Sequence, residues 1–203
     1  MSQVGAIFSG TGSYLPERRL TNDELSKMVD TSDEWIIQRT GIKERRIAAK
    51  EESTASLGTA AARKALEAAG LDAKDLDLIL CATITPEMQF PATACFVASA
   101  LGLNNTPAFD VSAACSGFIY ALETASNYIK SGRYRNVLVI GAETLSRITD
   151  YTDRASCILF GDGAGAVVLQ KSTEANRGVI YSSLHADGGG WEMLCCRPGS
   201  RHP

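Results

Sequence analysis

The sequence is poor in the features that proteins use to bind nucleic acids or to enter membranes. Its formal net charge at pH 7 is -3, whereas nucleic-acid-binding domains usually carry an excess of Lys and Arg. No apolar run approaches the ~20 residues that cross a bilayer, and the first residues lack the basic and apolar regions of a signal peptide. We therefore expect a cytoplasmic protein that acts on small molecules, with no nucleic-acid or membrane partner.

The sequence also gives little evidence for a metal site or for disulfide bonds. The six cysteines show no C-x-x-C motif and no paired spacings, so neither a zinc site nor a disulfide framework is indicated. The adjacent Cys195 and Cys196 are only weak evidence for a redox or metal pair, and a loose terminus is the preferred interpretation. The two histidines, His185 and His202, show no pattern that pairs them with a cysteine. We expect no metal and no cofactor.

Strand and helix patterns alternate along the chain, which is typical of a parallel sheet covered by helices. Capping patterns predict helix starts at Thr21, at Thr31 and at Ser53 or Thr54. Further helices are predicted over 90–102 and 116–130, and strands over 4–9, 76–83, 107–111, 136–141, 156–160, 164–170 and 179–185. The last three strands follow one another with short connections, which predicts a sheet that is mixed on this side.

Cys115 lies where the strand over 107–111 turns into the helix that begins near Ser116 and stops at Gly132. The free N–H groups and the positive end of a helix dipole at such a position stabilise a thiolate and could hold a developing oxyanion. Small neighbours, including Gly117, would let an acyl group approach the sulfur. A free cysteine is also often a small buried hydrophobe. Position alone leaves both interpretations open.

Two other patterns have a functional and a structural interpretation. Trp35 and Arg39 lie four residues apart on one helix face, where they could hold a nucleotide by stacking and charge, although a core tryptophan beside a solvated arginine is commoner. The glycine-rich stretch over 161–165 resembles a phosphate-binding loop, but a strand follows it where a dinucleotide site needs a helix. A tight turn between two strands is the favoured interpretation.

The helix after Cys115 is apolar on more than one side. One stripe contains Phe118, Leu122, Ala125 and Ile129, and Ile119, Tyr120 and Tyr128 make much of the remaining surface apolar or aromatic. A helix of this kind is buried on more than one side, yet a single sheet covers only one. We expect a second half of the protein, a second copy or a partner chain to cover the other.

Several motifs occur together in a family-specific order. They are the stretches 10–16 (GTGSYLP), 30–36 (DTSDEWI), 39–42 (RTGI), the cysteine motif over 110–118, 152–154 (TDR) and 160–166 (FGDGAGA). Together they resemble the amino-terminal part of β-ketoacyl-acyl carrier protein synthase III. The resemblance implies one half of a thiolase-like α/β fold: a mixed, mainly parallel sheet covered by helices, with a buried central helix after Cys115.

The resemblance also implies roles for individual residues. Cys115 would take the acetyl group from acetyl-CoA, a substrate rather than a cofactor, and the enolate formed from malonyl-acyl carrier protein would then attack the acetyl-enzyme. The other implied substrate-binding residues are Trp35 stacked on the adenine, with Thr31, Arg39 and Arg154 nearby, Leu145 and Phe160 in the acyl pocket, and Phe90 reaching into the partner's pocket of a homodimer.

The resemblance stops near residue 188. The family's catalytic histidine and asparagine belong to a carboxy-terminal half that these 203 residues do not contain; His185 falls in a different family motif, and His202 matches nothing. We expect an amino-terminal half over 1–188, a divergent and loose tail over 189–203, and a chain incomplete for full turnover. The alternatives are another acyl-CoA condensing enzyme of this fold and a non-catalytic partner subunit.

Overall fold

The computed structural model describes residues 5–174 and 177–196. In these residues the strands are β1 (Ala6–Tyr14), β2 (Arg18–Thr21), β3 (Glu44–Ile47), β4 (Leu78–Ala82), β5 (Ala108–Val111), β6 (Asn136–Thr144) and β7 (Asp162–Lys171). The helices are α1 (Asn22–Leu25), α2 (Asp33–Thr40), α3 (Thr54–Ala69), α4 (Thr93–Ala100) and α5 (Gly117–Lys130). The α/β alternation predicted from the sequence is confirmed.

The main sheet is mixed and has the strand order β1-β7-β6-β4-β5. Strand β4 pairs in parallel with β5 and β6, since α4 and α5 provide the crossovers that parallel strands require. Strand β7 is antiparallel to both β6 and β1. A separate two-stranded antiparallel sheet is formed by β2 and β3, and α1 and α2 lie between these two strands in the sequence. The prediction of a parallel region with a mixed side is therefore confirmed.

Helices cover both faces of the sheet. On one face α3 and α4 pack through Leu57, Ala61 and Val97 against Ile79 and Ile140, and on the other face the buried side of α5 packs on β4 and β6. Helix α3 approaches β1 so closely that a Cβ at Gly10 or Gly12 would lie 2.2 or 2.3 Å from a carbonyl oxygen of α3. Only glycine permits this contact.

The capping chemistry of the helices agrees with the sequence, with one shift. Thr21 and Glu24 form the expected capping box at α1, and Ser53 caps α3 through the amide of Ser56. Helix α2 is capped by Ser32, which accepts from the Trp35 amide. The start expected at Thr31 therefore lies one residue too early, because either hydroxyl satisfies the sequence pattern and the backbone decides which one accepts.

Three predictions about the second half of the chain are wrong. Residues 156–160 form turns, because the Asp153 side chain and carbonyl accept amide hydrogen bonds and curl the chain. Residues 179–185 are not a strand; Val179 donates one hydrogen bond to Ala6, and Ile180 and Tyr181 are exposed. The stretch 161–165 is not a turn, since from Asp162 onward it is part of β7 and pairs with β6.

The surface of α5 that faces away from the sheet is partly open in the described residues. Ile119 is 46% exposed, while Ser182 donates to Glu123 and the Tyr120 hydroxyl donates to the His185 carbonyl at 3.4 Å. The sheet thus covers one side of α5, as expected, and what covers the other side stays a prediction. In the same residues, no helix is long and apolar enough to cross a bilayer.

Candidate active site

Cys115 lies in a single 3-10 turn, Ala114–Ser116, that joins β5 to α5. Cys115 is exposed, whereas Cys81 and Cys157 are buried. Burial raises the pKa of the Cys81 thiol well above its usual range, which keeps that thiol neutral and unreactive. The interpretation of Cys115 as a core filler is therefore wrong, and the strand-to-helix position predicted for it is confirmed.

The turn that presents Cys115 has an unusual backbone. Ala114 has φ of 45°, a left-handed conformation that costs a non-glycine residue about 1 kcal/mol or more. Gly117 follows where an added Cβ would lie 3.3 Å from the Cβ of Ala82, so the first turn of α5 sits directly on β4. In the described residues no side chain caps α5, and the positive end of its dipole begins two residues after Cys115.

The segment that carries Phe90 is anchored at both ends although its tip is exposed. Phe90 is 82% exposed, and the Phe90–Pro91 peptide bond is cis. Just after it, the Asp110 carboxylate accepts from the amides of Thr93 and Ala94 at 2.7 and 2.8 Å. Just before it, Glu87 accepts from the first turn of α3 and from the Thr93 hydroxyl. An apolar side chain is therefore held outward on a fixed loop.

The structure reveals a polar cluster that the sequence analysis missed. Glu143, at the end of β6, accepts from the Ile84 amide at 2.9 Å and from the hydroxyls of Thr83 and Thr85. Burial raises the pKa of the Glu143 carboxyl, and the hydrogen bonds oppose that rise. The available signal in the sequence was the polar residues directly after β4 and at the end of β6. These strands proved to be neighbours, and the carboxyl ends of adjacent parallel strands meet at one edge of the sheet.

A second site forms around Trp35 on α2. The guanidinium carbons of Arg39 and Arg154 lie 4.3 and 4.4 Å from the centroid of the Trp35 ring, within the range of cation–π contact. Thr31 lies just before α2, and its Oγ1 is buried without a hydrogen-bond partner among the described residues. The structure thus brings Arg154 to the two residues that the sequence placed on one helix face.

Leu145 and Phe160 lie in two segments that the Asp162 carboxylate links by hydrogen bonds. Leu145 begins the 3-10 turn after β6, Phe160 precedes β7, and both are half-buried. Between these segments, Asp162 accepts from the amide and hydroxyl of Ser146 at 2.8 and 2.6 Å, and from the Ala48 amide at 2.7 Å. A pocket formed by the two apolar side chains stays a prediction.

The remaining candidates that the structure describes are not part of these sites. His185 is exposed, and its Nε2 lies 2.7 Å from the Ser183 hydroxyl; His202 lies outside the described residues. Cys195 and Cys196 are exposed free cysteines. Over 5–174 and 177–196, no group of three or more His, Cys, Asp or Glu side chains is placed to hold a metal ion.

The comparisons with known proteins agree with this architecture. The sequence model of 3-oxoacyl-[acyl-carrier-protein] synthase III matches residues 109–188. The β-ketoacyl-[acyl-carrier-protein] synthase III of Neisseria meningitidis is 60% identical over 190 residues, which cover 93% of this chain and 59% of that protein. The chain therefore spans less than two thirds of the length of this relative.

Solved structures show the same fold. The crystal structure of 3-oxoacyl-[acyl-carrier-protein] synthase III from Aquifex aeolicus matches with a TM-score of 0.80 and 56% identity, over 86% of this chain and 55% of that one. The priming β-ketosynthase of the R1128 polyketide pathway matches with a TM-score of 0.82 and 41% identity, over 86% of this chain and 52% of that one. With this identity and this thiolase-like half, most of the chain matches part of the β-ketoacyl-[acyl-carrier-protein] synthase III of other organisms.

Proposed function

We propose that this chain carries the acyl-accepting nucleophile of an acyltransferase that starts fatty acid synthesis. The observation that carries the proposal is the exposed Cys115 on a turn directly before the 14-residue helix α5. A thiolate at this position is the attacking species, and the backbone amide of Cys115 is a donor for the oxyanion that forms during attack. The name and fold of the relatives support the same chemistry.

In the first step the Cys115 thiolate attacks the carbonyl carbon of acetyl-CoA. A bond forms between Sγ and that carbon, the bond between the carbon and the CoA sulfur breaks, and CoA leaves as a thiol after taking up the proton that Cys115 lost. In the second step malonyl-acyl carrier protein loses CO₂, its enolate attacks the acetyl thioester, and the Cys115 thiolate leaves. The family's histidine and asparagine for this second step fall outside the part of the family that the chain matches.

For the acyl donor, we assign the CoA nucleotide to the site around Trp35. The indole offers a stacking surface for adenine, Arg39 and Arg154 supply positive charge for the phosphates, and the unpartnered Oγ1 of Thr31 is available for a hydrogen bond. Leu145 and Phe160 are assigned to the acyl pocket. The reaction needs no metal or other cofactor in this scheme, and the setting is the cytoplasm.

The partner proteins are an acyl carrier protein and a second copy of the chain. Strand β5 lies at the edge of the sheet, and an edge strand is a ready surface for pairing. We assign Phe90, which is exposed on its anchored loop, to the acyl pocket of the partner copy.

A second candidate is an acyl-CoA condensing enzyme that primes another pathway. The likeness to the R1128 priming β-ketosynthase favours this enzyme over a non-catalytic partner subunit. Both proposed enzymes need an acyl-accepting cysteine, whereas a partner subunit does not. Comparing acetyl-CoA with longer acyl-CoA donors distinguishes the two enzymes. A partner subunit would accept no acyl group from any of them.

The test is peptide mass spectrometry of the protein after exposure to acetyl-CoA. We expect an acetyl adduct on the peptide that contains Cys115, no adduct in Cys115→Ser, and an undiminished adduct in Cys95→Ser, a matched control at another exposed cysteine. An adduct that persists in Cys115→Ser, or no adduct on the parent chain, would overturn the proposal.

A further inference from the structure

Arg45 of β3 is buried in a way that arginine rarely is. It is 3% exposed, and its guanidinium hydrogen bonds go to neutral oxygens. Nε donates to the Ile158 carbonyl at 2.8 Å, Nη2 donates to the same carbonyl, and Nη1 donates to the Oδ1 of Asn22. Because these acceptors lie on segments far apart in the sequence, one side chain joins α1 to the chain just before β7.

Asn22 continues this connection to α2. It is 1% exposed, and its Nδ2 donates to the Asp33 carboxylate at 2.7 Å and to the Ile42 carbonyl at 2.8 Å. Asp33 is the first residue of α2, and Ile42 follows its end. The amide therefore holds both ends of the helix while its oxygen accepts from Arg45.

The two segments that Arg45 and Asn22 join are those that carry Trp35 and Arg154 of the nucleotide site. Trp35 is two residues after Asp33, and Arg154 is four residues before Ile158. An apolar cluster fills the space between these segments; its buried members are Leu20, Leu25, Ile36, Cys157 and Ile158. Apolar contacts are non-directional, whereas the planar fork of a guanidinium fixes distance and angle together.

We propose that Arg45, acting through Asn22, is a positioning residue for CoA binding, because it sets the separation between Trp35 and Arg154. The inference rests on the proposed function, since it takes the site around Trp35 as the CoA nucleotide site. Arg45 touches neither substrate nor the reacting sulfur in this scheme. Its removal should therefore weaken binding of the nucleotide and leave the chemistry of Cys115 unchanged.

The experiment compares Arg45→Met, Arg45→Lys and the parent by calorimetric titration with CoA. Methionine keeps the unbranched apolar stem but removes every donor, and lysine keeps the charge but cannot bridge two acceptors in the same plane. We expect Arg45→Met to raise the Kd of CoA at least ~10-fold and Arg45→Lys to give an intermediate value. Arg46→Met is the matched control. Arg46 lies on the same strand as Arg45, and its Nη1 donates to the Pro16 carbonyl at 2.9 Å.

A second readout separates positioning from general damage to the fold. The rate at which iodoacetamide alkylates Cys115 should be the same in the parent, in both Arg45 variants and in Arg46→Met. Parent-like CoA affinity in a folded Arg45→Met, or in Arg45→Lys if the methionine variant fails to fold, overturns the proposal. So does a change in Cys115 alkylation that parallels the loss of affinity. If the parent itself binds no CoA, the proposed function fails first and this inference fails with it.

Discussion

Asp162 and Ser146 form a two-point contact in which one carboxylate accepts from both the amide and the hydroxyl of the same serine, at 2.8 and 2.6 Å. The second oxygen of Asp162 also accepts from the Ala48 amide at 2.7 Å. The first residue of β7 is therefore tied to the turn after β6 and to the residue that follows β3. This contact fixes the position at which the glycine-rich stretch begins to pair with β6 as a strand.

Asp162→Asn should destabilise the protein. An amide nitrogen would replace a carboxylate oxygen where only donors are present, and a buried donor without its acceptor costs about 1–3 kcal/mol. Urea unfolding gives the change in the free energy of unfolding. Asp187→Asn is the control, because Asp187 is exposed and its carboxylate accepts only from the Gly189 amide in the described residues; an equal loss in both variants would contradict the prediction.

Gly12→Ala should be strongly destabilising. The new methyl group would lie 2.3 Å from the Ala61 carbonyl oxygen and 2.5 Å from the Ala65 nitrogen, so α3 would have to move away from β1. Overpacking of this kind costs roughly 3 kcal/mol, which thermal or urea unfolding would detect. Gly165→Ala is a matched control on the neighbouring strand, where an added Cβ meets nothing within 4 Å and stability should change little.

Glu143 should make the stability of the protein depend on pH. Its pKa is raised by burial, so the folded protein binds this proton more tightly than the unfolded chain does. The stabilisation is fully present below the unfolded pKa and is lost as pH rises through the folded pKa. Relative to Glu143→Gln, the parent should therefore lose stability as pH rises through this window, in a series of urea unfolding curves. A free energy of unfolding that instead rises in the parent, relative to Glu143→Gln, as pH rises through this window would contradict the raised pKa of Glu143.

Trp35→Ala should weaken CoA binding about tenfold, since stacking of a base on an aromatic ring contributes ~1–3 kcal/mol. Calorimetric titration with CoA measures the change directly. The control is Trp191→Ala, which removes an exposed tryptophan on the segment after β7. Equal effects of the two substitutions would show that the nucleotide does not stack on Trp35.

Much of this protein could be predicted from its sequence because the relevant interactions are local. The capping box of Thr21 and Glu24, the glycine that ends α3 and the passage from β5 through Cys115 to α5 depend on residues a few positions apart. The antiparallel pairing of β6 with β7 agrees with the absence of a crossover α-helix between them, although two of the three strands from which the mixed side was predicted, 156–160 and 179–185, are not strands.

The tertiary structure decided whatever depends on which distant segments meet. The segments 156–160 and 179–185 have strand-like composition, but neither is part of the sheet in the described residues. No local pattern marks Arg154 as a neighbour of Trp35, Arg45 as a buried link to Asn22, or Glu143 as the acceptor for two threonines of the chain after β4. Local conformational preferences act within one turn or one strand. The pairing of segments that lie tens of residues apart is set instead by strand order and by the burial of the side chains between them.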